Sequence, residues 1–305
     1  MNAIAGAGAS RSEAGRRRIG LIGFGFIGAQ VYRRLRDRPE LGLDVAFVHN
    51  RDAARLADVP RALVLDHLDD DGALAARGAD LVVEMAHPAI TRRHGERILA
   101  NADYLPLSVT ALADDGLLER LVARANEAGT RLLIPHGALP GVDSLREWRH
   151  MWDSVTITFR KSPRNIDFSE SGIDPTGLGA AVEGIVTGVE HAVEHAVGNG
   201  IGPSRETVVY DGPARGIARL FPRNVNTMVT CALATVGLDR CRARLVAVPG
   251  LRVAIAEIEA RGRDGSLLTM RKEQPAVGVS GTEMFESQFG SILRAAGAGD
   301  TLDFV

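Results

Sequence analysis

The segment EHAVEH, residues 190–195, has residue types and spacing that suit zinc chemistry. On a helix, His191 and His195 are one turn apart and present two imidazoles on one face, while Glu194 is placed to act as a base. The neighbouring sequence indicates no third ligand. We therefore assign no metal here and favour a partly exposed amphipathic helix, at a dimer interface or as a lid over the cleft.

A second pattern with chemical meaning is a glycine motif that follows an apolar strand. Residues 18–29 read RIGLIGFGFIGA, with the spacing G-x-G-x-x-G and a helical pattern after it. Gly23 permits the tight turn, Gly25 lets the backbone approach a pyrophosphate, and Gly28 lets the helix pack on the strand. The N-terminal N–H groups of that helix face the anion. The cofactor contacts predicted here are Gly23, Gly25, Phe26, Ile27 and Gly28.

The residues after the second strand bear on the choice between NADP and NAD. Residues 43–48 lead into His49-Asn50-Arg51-Asp52, where an acidic residue normally binds the 2′-hydroxyl of the adenosine ribose of NAD. Asn50 is neutral and Arg51 carries a guanidinium, a pair that suits a 2′-phosphate. We predict NADP as the preferred cofactor. NAD, served by Asp52, is the alternative, with Arg51 then a solvated loop charge.

A doubly wound α/β sheet is the element that must position these residues. Further strands are predicted at 79–85 and 131–135, with a helix at 91–100. Loops at the carboxyl ends of parallel strands form the ligand crevice. Ala86, His87 and His136 are therefore expected beside the nicotinamide.

The pattern changes after about residue 140, which predicts a second domain. Residues 155–159 read as a β-branched strand, 251–260 and 266–272 as a hairpin, and Asn226 as the N-cap of a helix over 227–236. The fold class is thus a Rossmann doubly wound parallel sheet with a smaller α+β substrate domain. The predicted divisions are a mobile tail at 1–17, the Rossmann domain at 18–138, a substrate and dimerisation domain at 139–280 with an inserted helix at about 178–198, and a C-terminal helix within 281–305 that packs back on the Rossmann domain.

Composition excludes several classes of partner. With 36 basic against 38 acidic residues, the net charge of -2 leaves no basic surplus for nucleic acid or an anionic membrane surface. No run of 18 apolar residues is present. Cys231 and Cys241 have no metal-type spacing and read as free thiols in a reducing cytoplasm. A cytoplasmic enzyme with a small-molecule substrate is expected.

Seven blocks of the sequence resemble the L-aspartate dehydrogenase family, in the same order and over nearly the whole chain. They are GFGFIG at 23–28, VVEMAHPA at 82–89, SVTALAD at 108–114, PHGALPG at 135–141, RKSP at 160–163, YDGPARG at 210–216 and FPRNVN at 221–226. The resemblance implies a homodimeric NAD(P)-dependent enzyme that oxidises aspartate to iminosuccinate, which hydrolyses to oxaloacetate and ammonia, or that runs the reverse reaction. It also implies that Ala138 and Asn226 contact the cofactor.

The chain departs from the family at the catalytic histidine. The resemblance places that histidine thirty residues after Asn226, where this chain has Ala256, and the family's A-D-P element is replaced by Ala247-Val248-Pro249. Oxidation of an amine needs a group that accepts the ammonium proton, and loss of such a base slows proton transfer by ~10²–10⁴-fold. Reduction of a different imine or 2-oxo acid, or cofactor binding without catalysis, are therefore kept as alternatives.

Three residues are candidates for the chemistry around this gap. His136 replaces a family serine in the loop that holds Ala138 and is the first candidate base; a histidine that only supports its loop is the other interpretation. Lys161, in the RKSP block, is predicted to bind a substrate carboxylate or, otherwise, to be a surface lysine. Thr110 replaces a family glycine and is predicted to narrow the cofactor pocket. The segment with EHAVEH is longer than the family's by roughly twenty residues.

Overall fold

A computed structural model describes residues 16–174, 206–277, 280–281 and 283–298. The predicted inserted helix at 178–198, with His191, Glu194 and His195, lies outside the described residues. So do residues 1–15 of the predicted tail. Its last residue, Arg17, is already the first residue of a strand, and Arg16 donates a hydrogen bond to Asp44 at 2.7 Å. No helix in the described ranges has the length and apolar character to cross a bilayer.

Strands and helices alternate in the first half of the described chain and strands dominate the second half. The strands are β1 (Arg17–Ile22), β2 (Leu43–His49), β3 (Leu81–Glu84), β4 (Asp103–Pro106), β5 (Trp152–Lys161), β6 (Thr207–Pro213), β7 (Arg242–Ala247), β8 (Val253–Gly262), β9 (Leu267–Val277) and β10 (Ser280–Gly281). The helices are α1 (Phe26–Asp37), α2 (Asp71–Ala76), α3 (Pro88–Leu99), α4 (Asp115–Ala128), α5 (Val142–Glu147), α6 (Ala214–Leu220), α7 (Asn226–Ala234) and α8 (Met284–Ala295).

The first sheet is parallel, with strand order β2-β1-β3-β4, as expected for a Rossmann-type unit. Its strands are buried on both faces, which explains their continuous apolar runs. The strand predicted at 131–135 is largely absent: only Leu132 forms a bridge, to Tyr104 of β4. Pro135 has no N–H to extend the pairing, so this segment stays a short edge to the sheet.

The second sheet is mixed, with strand order β10-β9-β8-β5-β7-β6. The ten-residue strand β5 lies inside it, parallel to β7 and antiparallel to β8, and the predicted hairpin is β8–β9. Helices α6 and α7 contact one face of this sheet. Both cysteines, Cys231 and Cys241, are free and fully buried in the core beneath that face.

The start of α7 differs from the predicted N-cap at Asn226. The helix includes Asn226, and no side chain caps it. Instead, the Asn226 side-chain oxygen accepts a hydrogen bond at 3.1 Å from the backbone N–H of Thr110, in the first half of the chain. A tertiary contact has therefore replaced the local cap that the residue type favours.

Helix α8 returns to the first sheet after the second is complete. Phe289, Ile292 and Ala296 are buried in one cluster with residues of β1 and α1. Arg34 of α1 donates to both carboxylate oxygens of Glu286, at 2.6 and 2.8 Å. The C-terminal helix thus packs on the dinucleotide-type unit.

Candidate active site

The glycine motif occupies the turn between β1 and α1. Gly23 has φ +98°, and a Cβ there would lie 2.7 Å from the carbonyl oxygen of Met85. A Cβ on Gly28 would overlap the carbonyl oxygen of Gly23. At Gly25 a Cβ would meet no protein atom within 4 Å, so this backbone faces open space beside the start of a helix. That combination fits the pyrophosphate of a dinucleotide.

Asn50 and the exposed aromatic Phe26 flank this turn. The side-chain oxygen of Asn50 accepts from the backbone N–H of Phe24 at 3.0 Å, and its amide donates to the carbonyl of Asp52 at 2.9 Å. Asn50 therefore shapes the glycine loop as well as lying at the end of β2. Arg51 is exposed beside it, and Phe26 is 72% exposed.

Glu84, at the end of β3, organises the loops beside the glycine turn and was not singled out from the sequence. Its buried carboxylate accepts from the backbone N–H groups of Ala86 at 2.6 Å and His87 at 2.7 Å, and from the backbone N–H and hydroxyl of Ser108 at 3.1 and 2.9 Å. Burial raises the pKa of this carboxyl, and the bonds it accepts lower it in part. The sequence feature that could have identified Glu84 is a charged residue inside the apolar run VVEM.

We expect Glu84→Gln to destabilise the protein by about 1–3 kcal/mol, because a carboxamide nitrogen would face N–H donors that now have an acceptor. Chemical denaturation monitored by circular dichroism measures this. Glu96→Gln, at an exposed ion pair with Arg120, is the matched control and should change stability by no more than about 0.5 kcal/mol. Equal effects of the two variants would contradict the role given to Glu84.

Two predicted cofactor residues connect the halves of the chain. Thr110 is buried, and its hydroxyl donates to the carbonyl of Pro222 at 2.8 Å, while its N–H donates to Asn226. The hydroxyl of Thr110 is thus committed to an interdomain bond.

His87 lies at the N-cap of α3, where its Nδ1 accepts from the N–H of Ala89 at 3.1 Å, and the preceding Ala86 is exposed.

A small cavity on one face of the second sheet collects the residues best suited to chemistry. Phe159 of β5, Ala256 of β8 and Lys272 of β9 are direct cross-strand partners, so their side chains share a face. Lys161, two residues after Phe159, lies on the same face. We call this space the lysine cavity. It is lined by Ala138, Phe159, Lys161, Asn224, Thr227, Ala254, Ile255, Ala256, Lys272 and Gln274.

Lys161 is the side chain of the lysine cavity whose pKa departs most from its ordinary value. It is only 5% exposed, its Nζ lies 3.5 Å from the carbonyl oxygen of Asn224, and it stands 5.2 Å from the ring centre of Phe159. Burial, with a smaller contribution from the charge of Lys272, lowers the pKa of Lys161 to about 8. An amine with that pKa can accept and return a proton near neutral pH.

Lys272 is a site residue that the sequence interpretation did not name. Its Nζ donates to the carbonyl of Ala138 at 2.6 Å and forms an ion pair with Glu283. It therefore ties the loop after residue 135 to the second sheet. The sequence feature that could have identified it is the scarcity of lysine: Lys161 and Lys272 are the only lysines among 36 basic residues, and both line the lysine cavity.

The structure does not bring His136 together with these lysines. The backbone N–H of His136 donates to the hydroxyl of Ser291 at 3.2 Å, and its Nε2 lies 3.4 Å from a carboxylate oxygen of Asp143. Burial lowers the pKa of this imidazole and Asp143 opposes that shift. The side chain lines a different cavity, beside α5 and α8. No histidine lines the lysine cavity among the described residues.

Metal ligands are absent from the part of the chain that the structure describes. Across 16–174, 206–277 and 283–298, no three His, Cys, Asp or Glu side chains are grouped so that they could hold an ion.

Comparison with known proteins identifies the family that has this architecture. Residues 23–135 match the NAD binding domain of homoserine dehydrogenase, and residues 190–281 match the family model for the C-terminal domain of aspartate dehydrogenase. The chain is 34% identical over 303 residues to an aspartate dehydrogenase domain-containing protein of Xenopus tropicalis, covering 94% of this chain and 98% of that protein. The chain belongs to the aspartate dehydrogenase family.

Other members of the family agree in sequence and in fold. An L-aspartate dehydrogenase of Cupriavidus taiwanensis is 33% identical over 261 residues, covering 83% of this chain and 87% of that protein. The crystal structure of aspartate dehydrogenase from Thermotoga maritima superposes with a TM-score of 0.65 at 22% identity, over 95% and 99% of the two chains. The protein is thus an NAD(P)-dependent oxidoreductase that resembles aspartate dehydrogenase. His191 and His195 fall inside the range matched by the C-terminal family model.

Proposed function

We propose that this chain interconverts an amino acid and its imine with Lys161 as the proton acceptor and donor. The observation that carries the proposal is the buried amine of Lys161, whose pKa is lowered to about 8, in a cavity that also contains Ala256. Alanine has no group that exchanges protons, so the resemblance leaves this function to another residue. His136, the other candidate, lines a different cavity, which favours Lys161.

The proposed chemistry assigns each proton and electron pair. Neutral Lys161 accepts a proton from the substrate ammonium, which frees the nitrogen lone pair to form the imine; the nicotinamide cofactor, when bound, would be the acceptor of the Cα hydrogen as hydride. Water then adds to the carbon of the protonated imine, its two protons pass to the nitrogen, and ammonium leaves to give a 2-oxo acid, while Lys161 releases its proton to solvent. The cofactor supplies the hydride chemistry, and the turn at Gly23, Gly25 and Gly28 would hold its pyrophosphate.

Aspartate is the proposed amino acid, with oxaloacetate as its 2-oxo acid. The names of the bacterial relatives support it, and Lys272 supplies positive charge in the cavity for a substrate with two carboxylates. Lys272 is the proposed carboxylate partner, because its ammonium lines the cavity and has a third N–H donor beyond those directed at Ala138 and Glu283. A different imine or 2-oxo acid is the second candidate, favoured by the alanine at position 256.

An assay with purified protein tests this proposal. NADPH or NADH oxidation is followed with oxaloacetate plus ammonium, and in parallel with a panel of other 2-oxo acids plus ammonium. Turnover with oxaloacetate supports aspartate as substrate, and turnover only with another acid supports the second candidate. Cofactor binding with no turnover on the whole panel would overturn the catalytic proposal and favour a cofactor-binding homologue.

NADP is the proposed cofactor, supported by the exposed guanidinium of Arg51 beside neutral Asn50. We expect Arg51→Ala to weaken NADPH binding by about tenfold, the loss of one charge-assisted hydrogen bond, and to leave NADH binding unchanged. Fluorescence titration with each reduced cofactor measures both affinities. Arg55→Ala, one turn further along, is the control and should change neither. A preference for NADH in the unaltered protein would contradict the choice of NADP.

We also propose a cytoplasmic homodimer. The family resemblance supports the dimer, and the face of the second sheet that carries Arg160, Asp211, Arg242, Glu257 and Arg271 presents cations and anions in alternation. Such a face is self-complementary in charge across a two-fold axis. Two buried free thiols support a reducing compartment. Multi-angle light scattering that returned a monomer mass would contradict the dimer.

A further inference from the structure

A second and larger cavity lies on the opposite side of the 136–138 loop from the lysine cavity. It measures about 490 Å³ and lies between the edge segment 131–136 and helices α5, α7 and α8. We call it the edge cavity. Its volume lies in the range of ligand sites in proteins, roughly 300–1,000 Å³.

The floor of the edge cavity is apolar. Leu132, Leu133 and Ile134 of the edge segment are only partly buried, and they line the cavity together with Leu233 of α7. A surface of this kind favours a hydrocarbon group, since removing it from water is worth about 25 cal/mol per Å².

The rim of the edge cavity is cationic. Arg131, Arg146 and Arg294 line it. Arg131 shares the carboxylate of Asp103 with Arg17, at 2.7 and 2.8 Å, and Arg294 lies 3.3 Å from Asp143. No carboxylate within the described ranges pairs with Arg146. Of the described residues that line the cavity, three carry a guanidinium and one, Asp143, carries a carboxylate, which leaves a local surplus of positive charge.

We propose that the edge cavity binds an organic anion, with its carboxylate at Arg146 and Arg294 and its apolar body against the leucine and isoleucine side chains of the lining. An aryl or branched alkyl carboxylate has the required chemistry, because guanidinium groups bind carboxylates in a planar, charge-assisted geometry. The site is separate from the lysine cavity and does not depend on the reaction assigned to it.

The edge cavity also shares a wall with the lysine cavity. From the α8 side, Ser291 accepts from the N–H of His136 and Ser287 donates to the carbonyl of Gly137. From the other side, Lys272 donates to the carbonyl of the next residue, Ala138. A ligand of the edge cavity therefore contacts the segment that carries Ala138 into the lysine cavity.

The two tryptophans of the chain report on the edge cavity. Trp148 follows α5 directly, and Trp152 donates its indole N–H to the carbonyl of Leu145 in α5 at 2.9 Å. Their ring centres are 6.0 Å apart. Because α5 forms one wall of the cavity, a ligand there is expected to change the intrinsic fluorescence.

Titration with 3-phenylpropionate tests the proposal, with tryptophan fluorescence and calorimetry as readouts. We expect saturable binding to the full chain, binding at least about tenfold weaker for the uncharged 3-phenylpropionamide, and a similar loss in Arg146→Gln and Arg294→Gln. Arg149→Gln, next to the cavity but outside its lining, is the matched control and should bind as the unaltered protein does.

Several outcomes would overturn the proposal. They are no saturable signal at millimolar probe, equal affinity for the acid and the amide, and unchanged affinity in both cavity variants. The titration is repeated with saturating NADPH, and loss of the signal by direct competition would place the probe in the dinucleotide site and also overturn it. Because binding is measured without turnover, an inactive enzyme leaves this test intact.

Discussion

Lys161→Met is expected to lower kcat by about 10²–10⁴-fold, the usual contribution of a general base, without changing the affinity for the reduced cofactor. Methionine preserves much of the side-chain volume and removes a buried ammonium, so the fold should be retained. Steady-state kinetics and a cofactor titration on the same preparation separate the two effects. A variant that kept most of its turnover would show that the base lies elsewhere, and His136→Ala would then be the next substitution to assay.

The pH dependence of the same reaction gives a signature that a merely structural lysine would lack. The pKa of Lys161 is lowered to about 8, and amine oxidation needs its neutral form. The kcat/KM for oxidation should therefore rise as the pH increases through about 8 and then level off, whereas imine reduction needs the protonated form and should fall above that pH. Lys272→Met is the matched control: it should weaken substrate binding and keep an inflection, moved to higher pH because the charge of Lys272 no longer lowers the pKa of Lys161, whereas Lys161→Met should lose the inflection.

Gly25→Ala is expected to weaken NAD(P)H binding by roughly 100-fold or more, because its new methyl group would occupy the space that the pyrophosphate needs. The same methyl meets no protein atom within 4 Å, so the thermal unfolding temperature should not fall. Fluorescence titration and calorimetric unfolding measure the two quantities.

Two other glycines provide the controls for this experiment. Gly290→Ala, in α8, also adds a methyl group in open space and should leave cofactor affinity unchanged. Gly28→Ala would push its methyl into the carbonyl oxygen of Gly23 and should destabilise the fold itself. Undiminished cofactor affinity in Gly25→Ala would contradict the placement of the pyrophosphate.

The dinucleotide unit was predictable because its signals are local in sequence. A strand, a glycine turn and a helix follow one another within about twenty residues, and the structure has them at β1, Gly23 to Gly28 and α1. The strand predicted at 131–135 had the same kind of apolar run. It remains an edge with one bridge, because pairing depends on a neighbouring strand that a local pattern does not contain.

The lysine cavity was only half predictable, since it depends on register between distant strands. Lys161 was identified within its block, but its position beside Ala256 and Lys272 follows from the pairing of β5 with β8 and of β8 with β9. The prediction of His136 beside the nicotinamide depends on where its loop leads. Which cavity its imidazole lines depends on the packing of α5 and α8 around that loop, which the local sequence does not contain.

Because Cys231 and Cys241 are buried, thiol labelling can measure local opening of the core. A thiol reagent can reach either sulfur only when the core beneath the second sheet opens, so the labelling rate measures the free energy of that opening. Cys231 lies on α7, the helix whose first residue, Asn226, is bonded to Thr110 of the dinucleotide half. If a bound cofactor protects Cys231, the slower labelling of this thiol in the second half of the chain would therefore report binding in the first half.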